Sequence, residues 1–575
     1  MINAHKEKLH SFFQNNIQYE IPFFQRSYVW EHDSWQTLWD HIEYEVDEYK
    51  NGINSEHFIG TIITKQKQSQ ALGENKVELV DGQQRLTTIT LILKAIQATG
   101  KDELPNLKSS IQNLLKFENT RGDSFYRIDH SRNDSPYYKA IIDGEDLDKL
   151  PNQRNNILMA YRFYVDKFKD LSDIDRDIFR SVLLEKVPVI SMLLSPEDDE
   201  QEIFDTINSL GVRLTTGELL KNYIFKNKGL QPLYESTWQK VFEDDDETVS
   251  FWSTTKTSGR VKRTNIEVLL YCYLIIKTGD EVRIDRLFKE YKKYIQTKSE
   301  QEQIAMLNEL KTYAEIYAEF PSGEAIHELT FSDLERRFFR VIDGIEVSTA
   351  YPLIMYIYQN VSNESERLKC LQYLESYLMR RNICKLTTKN YNKVFVQIMN
   401  DLKDIPNFDA SDLAAILLDF TETTNRFPSD EEMKEAVVKV SPSNKHAREI
   451  LFILALKSID HAYSDARKLN VYNFSVEHMM PKQWEENWEE PEFTELDKNR
   501  RWYALRTLGN LTLITKNLNS KLRNAGWKEK RKTLAEYSTL KMTTDYLNHE
   551  EWNEEYIDKR TSALVESALS IWQIQ

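Results

Sequence analysis

An acid and a histidine stand side by side in FSVEHMMPKQW (474–484), at the end of a β-like run that Pro481 then closes. His478 suits the removal of a proton from water, because histidine ordinarily titrates near neutral pH. Glu477 and, further along, Asn519 carry oxygen atoms of the type that Mg²⁺ and Mn²⁺ bind. A base and a divalent metal are together what the hydrolysis of a phosphodiester needs.

A second short motif, LGNLTLI (508–514), turns at Gly-Asn and leads into a β-branched run. A carbonyl oxygen of Asn510, from its backbone or its side chain, could fix the tautomer of His478. The next segment, TKNLNSKLRNAGWKEKRK (515–532), is predicted to be helical. This order of histidine, hairpin and helix is that of the ββα-metal (HNH, or His-Me finger) nucleases. The alternative is a satisfied histidine near a domain core, followed by a solvated basic helix.

The segment from Arg500 to Lys532 is strongly basic, with ten Lys and Arg residues and one acid. Because the net charge of the chain is −16, a nucleic acid would have to bind such a local patch. Lysine and arginine side chains neutralise the phosphates of DNA. The candidates for this role are Lys516, Lys521, Arg523 and Lys528.

The stretch VELVDGQQRLTTITLIL (77–93) puts polar residues between an apolar run and a helical pattern. Backbone N–H groups at a helix N-terminus bind anions, and a guanidinium such as that of Arg85 suits phosphate. Asp81 could hold a metal or position a water, and glutamine both donates and accepts. The sequence has no Walker A motif, which excludes an ordinary P-loop. The alternative is a structural ion pair between Asp81 and Arg85. The candidate residues of this site are Asp81, Gly82, Gln83, Gln84 and Arg85.

A second polar pair, Gln25 and Arg26, lies among aromatic residues in IPFFQRSYVWEHDSW (21–35). Aromatic faces beside a Gln-Arg pair suit a base or a nucleotide. The alternative is a core edge where the stem of Arg26 is buried and its guanidinium reaches solvent.

The elements that must position these residues are short strands and many helices. HFIGTIIT (57–64) and VELV (77–80) are predicted strands, and residues 85–97 are a predicted helix with apolar residues at spacings of three and four. Residues 201–225 are predicted to form a helix, a glycine turn and a second helix. The predicted class is α+β and predominantly helical, with domains at 1–235, 236–425 and 426–575.

Composition bounds the remaining possibilities. The 575 residues are 41% hydrophobic and 29% charged, as in a soluble globular protein of several domains. The three cysteines form no Cys-x-x-Cys pair, which argues against a zinc or redox site and favours a reducing cytosol. The sequence shows no signal peptide and no apolar run long enough to span a membrane. We therefore expect a cytoplasmic protein with no membrane partner.

Seven stretches in order resemble the GmrSD-type, modification-dependent (type IV) restriction endonucleases, over nearly the whole chain. They are IPFFQRSYVW, HFIGTII, VDGQQRLTT, IFDTINSLGVRLTTGELLKN, RRNICKLTTKNYNKVF, EHMMP and LGNLTLI. The resemblance implies a GmrS-like domain of ParB/sulfiredoxin type, a helical middle, and a GmrD-like HNH domain. Four departures are Phe24 in place of tyrosine, Leu210 in place of arginine, Glu477 in place of aspartate, and Asn519 in place of the histidine at the final metal position.

The resemblance also implies site roles. Residues 81–85 would bind a nucleoside triphosphate (GTP, UTP, CTP or ATP), with Gln25 and Arg26 in the same cleft or sensing modified DNA. His478 would be the general base, Glu477 and Asn519 would bind Mg²⁺ or Mn²⁺, and Asn510 would orient His478. The partner would be double-stranded, modified phage DNA, with a homodimer as one option for assembly.

The leading hypothesis is a nucleotide-regulated, modification-dependent DNA endonuclease or nickase in phage defence, with an associated NTPase activity. A second is a ParB-like, NTP-dependent DNA-binding switch without nuclease activity. A third is a toxin that degrades RNA.

Overall fold

A computed structural model of the chain describes residues 3–14, 16–23, 25–66, 76–119, 121–130, 134–195, 215–258, 261–439, 443–459, 468–488, 493–516, 518, 522, 524–538 and 540–573. The chain divides into two compact units, residues 1–227 and 228–575. The described residues are mostly helical, with one mixed sheet and several two-stranded pairs. The predicted α+β, predominantly helical class is therefore confirmed. The predicted boundary near 425 lies inside the second unit, and the three-domain division stays a prediction.

The described strands are short. They are β1 (Asn3–Lys8), β2 (Gln18–Glu20), β3 (Thr61–Gln66), β4 (Lys76–Asp81), β5 (Lys116–Glu118), β6 (Ser124–Tyr126), β7 (Ile128–Asp129), β8 (Pro188–Leu194), β9 (Thr255–Ser258), β10 (Val261–Thr264), β11 (Glu328–Leu329), β12 (Leu469–Asn470), β13 (Phe474–His478) and β14 (Leu511–Thr515).

The described α-helices of the first unit are α1 (Leu9–Gln14), α2 (His32–Lys50), α3 (Gln83–Thr99), α4 (Leu107–Leu115), α5 (Ser135–Asp143), α6 (Asn156–Phe168), α7 (Asp173–Lys186) and α8 (Thr216–Phe225). Those of the second unit are α9 (Lys240–Phe242), α10 (Asp246–Ser253), α11 (Asn265–Thr278), α12 (Leu287–Gln296), α13 (Glu300–Glu319), α14 (Leu334–Gly344), α15 (Tyr351–Asn360), α16 (Glu364–Ile383), α17 (Tyr391–Lys403), α18 (Ala410–Asp419), α19 (Asp430–Lys439), α20 (Asn444–Ile459), α21 (Glu485–Trp488), α22 (Glu495–Ala504), α23 (Trp527–Tyr537), α24 (Lys541–Thr544) and α25 (Glu554–Ile571).

The first unit is built around a mixed six-stranded sheet in the order β1-β8-β3-β4-β2-β7. β4 pairs antiparallel with β3 and parallel with β2, which places it inside the sheet. Helix α3 follows β4 directly and is buried almost throughout from Gln84 to Ile96. The chain thus leaves the sheet at Asp81 and enters the core of the unit at once, so the turn between them has a rigid element on each side.

In the second unit, two fully buried arginines of α16 bind backbone carbonyls. Arg380 donates to the carbonyl of Trp572 at 2.6 Å and to that of Pro428 at 3.0 Å. Arg381 donates to the carbonyls of Arg426 and Thr424, at 2.8 and 2.9 Å. These contacts tie a middle helix to the last helix and to the segment before α19. Arg380 and Arg381, the first two residues of RRNICKLTTKNYNKVF, therefore have a structural role, because their guanidinium groups donate to backbone carbonyls inside the unit.

None of the described helices combines the length and the apolar character that a membrane span requires.

Candidate functional site

The C-terminal candidate site is built on the hairpin of β13 and β14. The two strands pair antiparallel from Phe474 opposite Thr515 to His478 opposite Leu511, so His478 is the last paired residue. Its imidazole is half-buried and has no hydrogen-bond partner among the described residues. Burial, with Lys482 and Lys530 nearby, lowers the pKa of His478 to about 4. The ring is therefore neutral at pH 7 and has a nitrogen lone pair that can accept a proton.

Glu477, beside the histidine, forms a buried ion pair. Lys530 of α23 donates to Glu477 Oε1 at 2.6 Å and to the carbonyl of His478 at 2.8 Å. Lys530 is fully buried and Glu477 nearly so. Burial raises the pKa of Glu477 and lowers that of Lys530, while the attraction between the charges opposes both shifts. Lys530 thus fixes the backbone of the residue that carries the imidazole.

Asn510 is fully buried and acts on the backbone that follows the histidine. Its Nδ2 donates to the carbonyl of Met480 at 2.8 Å, and its Oδ1 accepts the N–H of the same residue at 2.8 Å. The carbonyl of Asn510 accepts the N–H of Met479, also at 2.8 Å. No described contact joins Asn510 to the ring of His478. In this structure Asn510 therefore positions His478 through residues 479 and 480, and a direct role in setting the tautomer stays a prediction.

Helix α25 holds the Asn510 corner in place. Arg560, fully buried, donates to the carbonyls of Gly509 and Leu511 at 2.6 and 2.7 Å. Gly509 lies against the same helix so closely that a Cβ would overlap the carbonyl of Ile557 and the hydroxyl of Thr561. The glycine of LGNLTLI is thus required by close helix packing, since no larger residue fits.

We expect Gly509→Ala to destabilise the second unit by about 1–3 kcal/mol, because backbone atoms of α25 cannot give way. DNA cleavage should fall with it, because Asn510 would move. Gly526→Ala is the matched control, since its Cβ would lie 3.6 Å from the nearest atom, the carbonyl of Asn487. Urea denaturation and a cleavage assay measure both effects. Equal stability of the two variants would contradict the prediction, because it would show that the backbone around Gly509 can move to accept a Cβ.

The predicted DNA-binding and metal residues are described only in part. Lys516 and Lys528 are exposed, as a phosphate contact needs. Asn519, Lys521 and Arg523 lie outside the described residues.

Two members of the basic segment point inward instead. Arg501 pairs with Glu554 and stacks on Phe493 at 4.2 Å, and Lys530 pairs with Glu477. The spacing could have revealed Lys530, which shares a helix face with Trp527 and Leu534.

The residues proposed to bind a divalent cation are Glu477 and Asn519, of which the structure describes only Glu477. Within the described parts of the chain, no cluster of three or more His, Cys, Asp or Glu side chains could hold a metal. Glu477 keeps acceptor capacity beyond its bond to Lys530, because a carboxylate has about four lone-pair positions. The donor chemistry of Glu477 with Asn519 therefore fits Mg²⁺ or Mn²⁺.

The N-terminal candidate site is the corner between β4 and α3. Gly82 has a φ of 96°, and a Cβ there would come within 3.0 Å of Ile62. This conformation and the close contact explain why glycine follows Asp81. Gly82 provides no side-chain cap to α3, so the first N–H groups of the helix are left without a side-chain acceptor at the cap position.

Three glutamines fasten the segment 25–30 to this corner. Gln25 donates to the carbonyl of Leu79 at 2.8 Å, and Gln83 donates to that of Arg26 at 3.0 Å. Gln84 is buried; it accepts the N–H of Val29 at 2.8 Å and that of Trp30 at 3.2 Å. The amides that were predicted to contact a nucleotide donate to or accept from the backbone in this structure. The Oε1 of Gln83 is buried and has no hydrogen-bond partner in the described part of the chain.

The charged groups of the corner are Asp81, Arg85 and Arg26. Arg85 Nη1 lies 3.7 Å from Asp81 Oδ2 and also donates to the carbonyl of Thr61. The structural ion pair that the sequence left open is therefore present at a loose distance. The guanidinium of Arg26 is part-exposed and has no hydrogen bond or ion pair within the described residues. Arg26 is consequently the cation of this corner with the most donor capacity left for an anion.

Tyr28 anchors the same segment in the core. Its hydroxyl lies 2.7 Å from Thr88 Oγ1, and its N–H donates to Asp134 at 2.7 Å. Burial raises the pKa of Asp134 from 3.8 to about 6, against the effect of that N–H.

This shift predicts a pH dependence of stability. The folded state binds the proton of Asp134 more tightly than the unfolded chain, so its contribution is complete below pH 3.8 and is lost as pH rises through about 6. Between pH 5 and pH 8 the loss should be about 1–2 kcal/mol. Asp134→Asn should remove it while keeping an acceptor for Tyr28. Denaturation at both pH values measures this, with the exposed Asp148→Asn as control; parallel curves for wild type and Asp134→Asn would contradict it.

Comparison with protein families gives a match in each unit. Residues 9–225 match the N-terminal domain of the GmrSD restriction endonuclease. Residues 427–567 match the C-terminal domain of GmrSD restriction endonucleases. Together the two regions cover more than half of the chain and contain both candidate sites. No curated protein matches the chain at a significant level.

Proposed function

Because this chain belongs to the GmrSD restriction endonucleases, a family of phage-defence nucleases, we propose that it hydrolyses modified phage DNA with His478 as general base. The observation that carries this proposal is the neutral imidazole at the end of β13, which has no hydrogen-bond partner among the described residues and lies on a backbone fixed by Lys530 and Asn510. A base held rigidly beside a carboxylate is what a phosphodiester hydrolase needs.

In the proposed reaction, the imidazole of His478 takes a proton from the attacking water while Lys530 and Asn510 keep it in position. Glu477 and Asn519 would hold Mg²⁺ or Mn²⁺, which stabilises charge on the phosphate when it is bound. Lys516 and Lys528, with Lys521 and Arg523, would bind the DNA backbone.

Scission of supercoiled plasmid and of phage DNA tests this function. Cleavage should require Mg²⁺ or Mn²⁺, stop with EDTA, and return when the metal is restored. A protein that binds DNA in response to nucleotide but breaks no strand in either metal would instead be an NTP-dependent DNA-binding switch. The buried pairing of Glu477 with Lys530, which competes with a metal, is the observation in favour of that second candidate.

The N-terminal corner would bind a nucleoside triphosphate that regulates the cut. Support comes from three features: the start of α3 without a side-chain cap, the guanidinium of Arg26, which pairs with none of the residues that the structure describes, and Arg85 beside them.

Arg85→Ala should weaken nucleoside triphosphate binding roughly 10-fold or more, since a charge-assisted hydrogen bond is worth about 1.5–3 kcal/mol. Isothermal titration calorimetry measures this. Arg121→Ala, an exposed arginine of the same unit, is the matched control. An unchanged affinity in Arg85→Ala would limit Arg85 to its structural contacts with Thr61 and Asp81.

A further inference from the structure

An open cleft of about 400 Å³ lies in the first unit between one face of α2 and the segment 57–59. Four rings line it: Trp30, His41, His57 and Phe58. Phe58 is 48% exposed, so its ring is accessible to a ligand. Polar residues line the cleft as well, among them Ser34 and Thr37. The cleft therefore combines flat apolar faces with hydrogen-bonding edges.

The two imidazoles meet inside this cleft. Their centroids are 4.2 Å apart, and neither ring has a hydrogen-bond partner among the described residues. Burial and the neighbouring His41 lower the pKa of His57, so that ring is neutral at pH 7 and can donate from one nitrogen and accept at the other. Two histidines alone do not make a metal site, and the described residues bring no third ligand of that kind to them.

The cleft is joined to the β4–α3 corner at both of its edges. On one edge, the N–H of Trp30 is held by Gln84. On the other, Ile59 leads directly into Gly60 and Thr61, which Arg85 contacts. The aromatic lining therefore begins within two residues of groups that suit phosphate. A nucleotide joins a flat base to a charged phosphate. A flat apolar surface beside groups that suit an anion therefore matches both of its parts.

We propose that the cleft lined by Trp30, His41, His57 and Phe58 binds a nucleobase, stacked on the rings with its polar edge on the imidazoles. The base would belong either to the nucleoside triphosphate at the corner or to a nucleotide displaced from DNA. This inference rests on the proposed nucleotide site only for the first of these two sources.

Phe58→Ala and His57→Ala test the cleft. The exposed Tyr44→Ala, on the same helix α2 but outside the cleft, is the matched control. The probes are ATP, GTP, CTP and UTP, inorganic triphosphate, which has no base, and a short single-stranded oligonucleotide. Titration calorimetry measures the affinity of each.

If the base is that of the nucleotide, both cleft variants should bind nucleoside triphosphates roughly 10-fold more weakly and inorganic triphosphate as well as wild type does. Arg85→Ala should weaken the binding of both nucleoside triphosphate and inorganic triphosphate. This difference from the cleft variants separates the phosphate site from the cleft. If the base comes from DNA, only the affinity for the oligonucleotide should fall.

Wild-type affinities for all probes in both cleft variants would overturn the proposal. A wild-type protein that binds neither nucleotide nor triphosphate would refute the nucleotide site. The oligonucleotide arm would then decide the cleft alone.

Discussion

Replacing His478 with alanine is expected to lower the rate of DNA cleavage by about 10²–10⁴-fold, the usual contribution of a general base. The fold should survive, because the imidazole makes no hydrogen bond to the described residues, and the backbone groups of residue 478, including the carbonyl that Lys530 contacts, are kept in the variant. DNA binding should be unchanged, since the ring accepts a proton from water and carries no charge at pH 7. The effect should therefore appear in the cleavage rate alone.

His5→Ala is a suitable control, because His5 is an exposed histidine of β1. Circular dichroism and DNA affinity should be the same for wild type and both variants. Full cleavage by a folded His478→Ala protein would remove His478 from the reaction. A loss of structure would instead mean that the ring has a packing role.

The second large effect concerns Lys530. Lys530→Met should destabilise the second unit by about 3–5 kcal/mol, because it leaves the carboxylate of Glu477 buried without its partner. The contact to the carbonyl of His478 is lost as well, so cleavage should fall too. Lys528→Met, two residues earlier and exposed, should affect stability little.

The double variant Glu477→Gln/Lys530→Met separates the effect of the ion pair on stability from the role of Glu477 in DNA cleavage. Removing both members of a buried pair is often close to neutral for stability, so the double variant should regain most of what Lys530→Met loses. Cleavage should stay low, because Glu477 is also the proposed metal ligand. Recovery of stability together with full cleavage would show that Glu477 serves only the ion pair.

Local patterns in the sequence predicted some of the elements that hold the sites correctly and others only in part. The segment 515–532 was predicted to be helical, but Thr515 ends β14, and the non-helical residues 524–526 precede helix α23, which begins only at Trp527. The spacing of Leu86, Ile89, Leu93 and Ile96 predicted a buried helix, and α3 has all four residues in the core. The segment 57–64 was predicted to be a strand from His57 onward, but the corresponding strand β3 begins at Thr61. The backbone N–H groups of His57 and Ile59 donate instead to the carbonyls of Lys186 and Pro188. The β-branched composition of the segment alone could therefore not show where the strand begins.

Contacts between distant residues were beyond the reach of the sequence. Lys530 lies 53 residues from Glu477, and a charged residue in a basic run is ordinarily a solvated one. The amides of Gln25, Gln83 and Gln84 bind backbone that only the folded corner brings near. Polar residue types indicate that a group can bind a ligand, whereas the fold decides which groups are already occupied.

Cleavage by the wild-type protein of glucosylated phage DNA and unmodified plasmid, with and without nucleoside triphosphate in Mg²⁺ or Mn²⁺, tests the central claim most directly. We predict strand scission of only one of these DNA classes, altered by nucleotide and absent with EDTA. A folded protein that binds DNA and hydrolyses nucleotide but breaks no strand under any of these conditions would contradict the nuclease assignment and favour the DNA-binding switch.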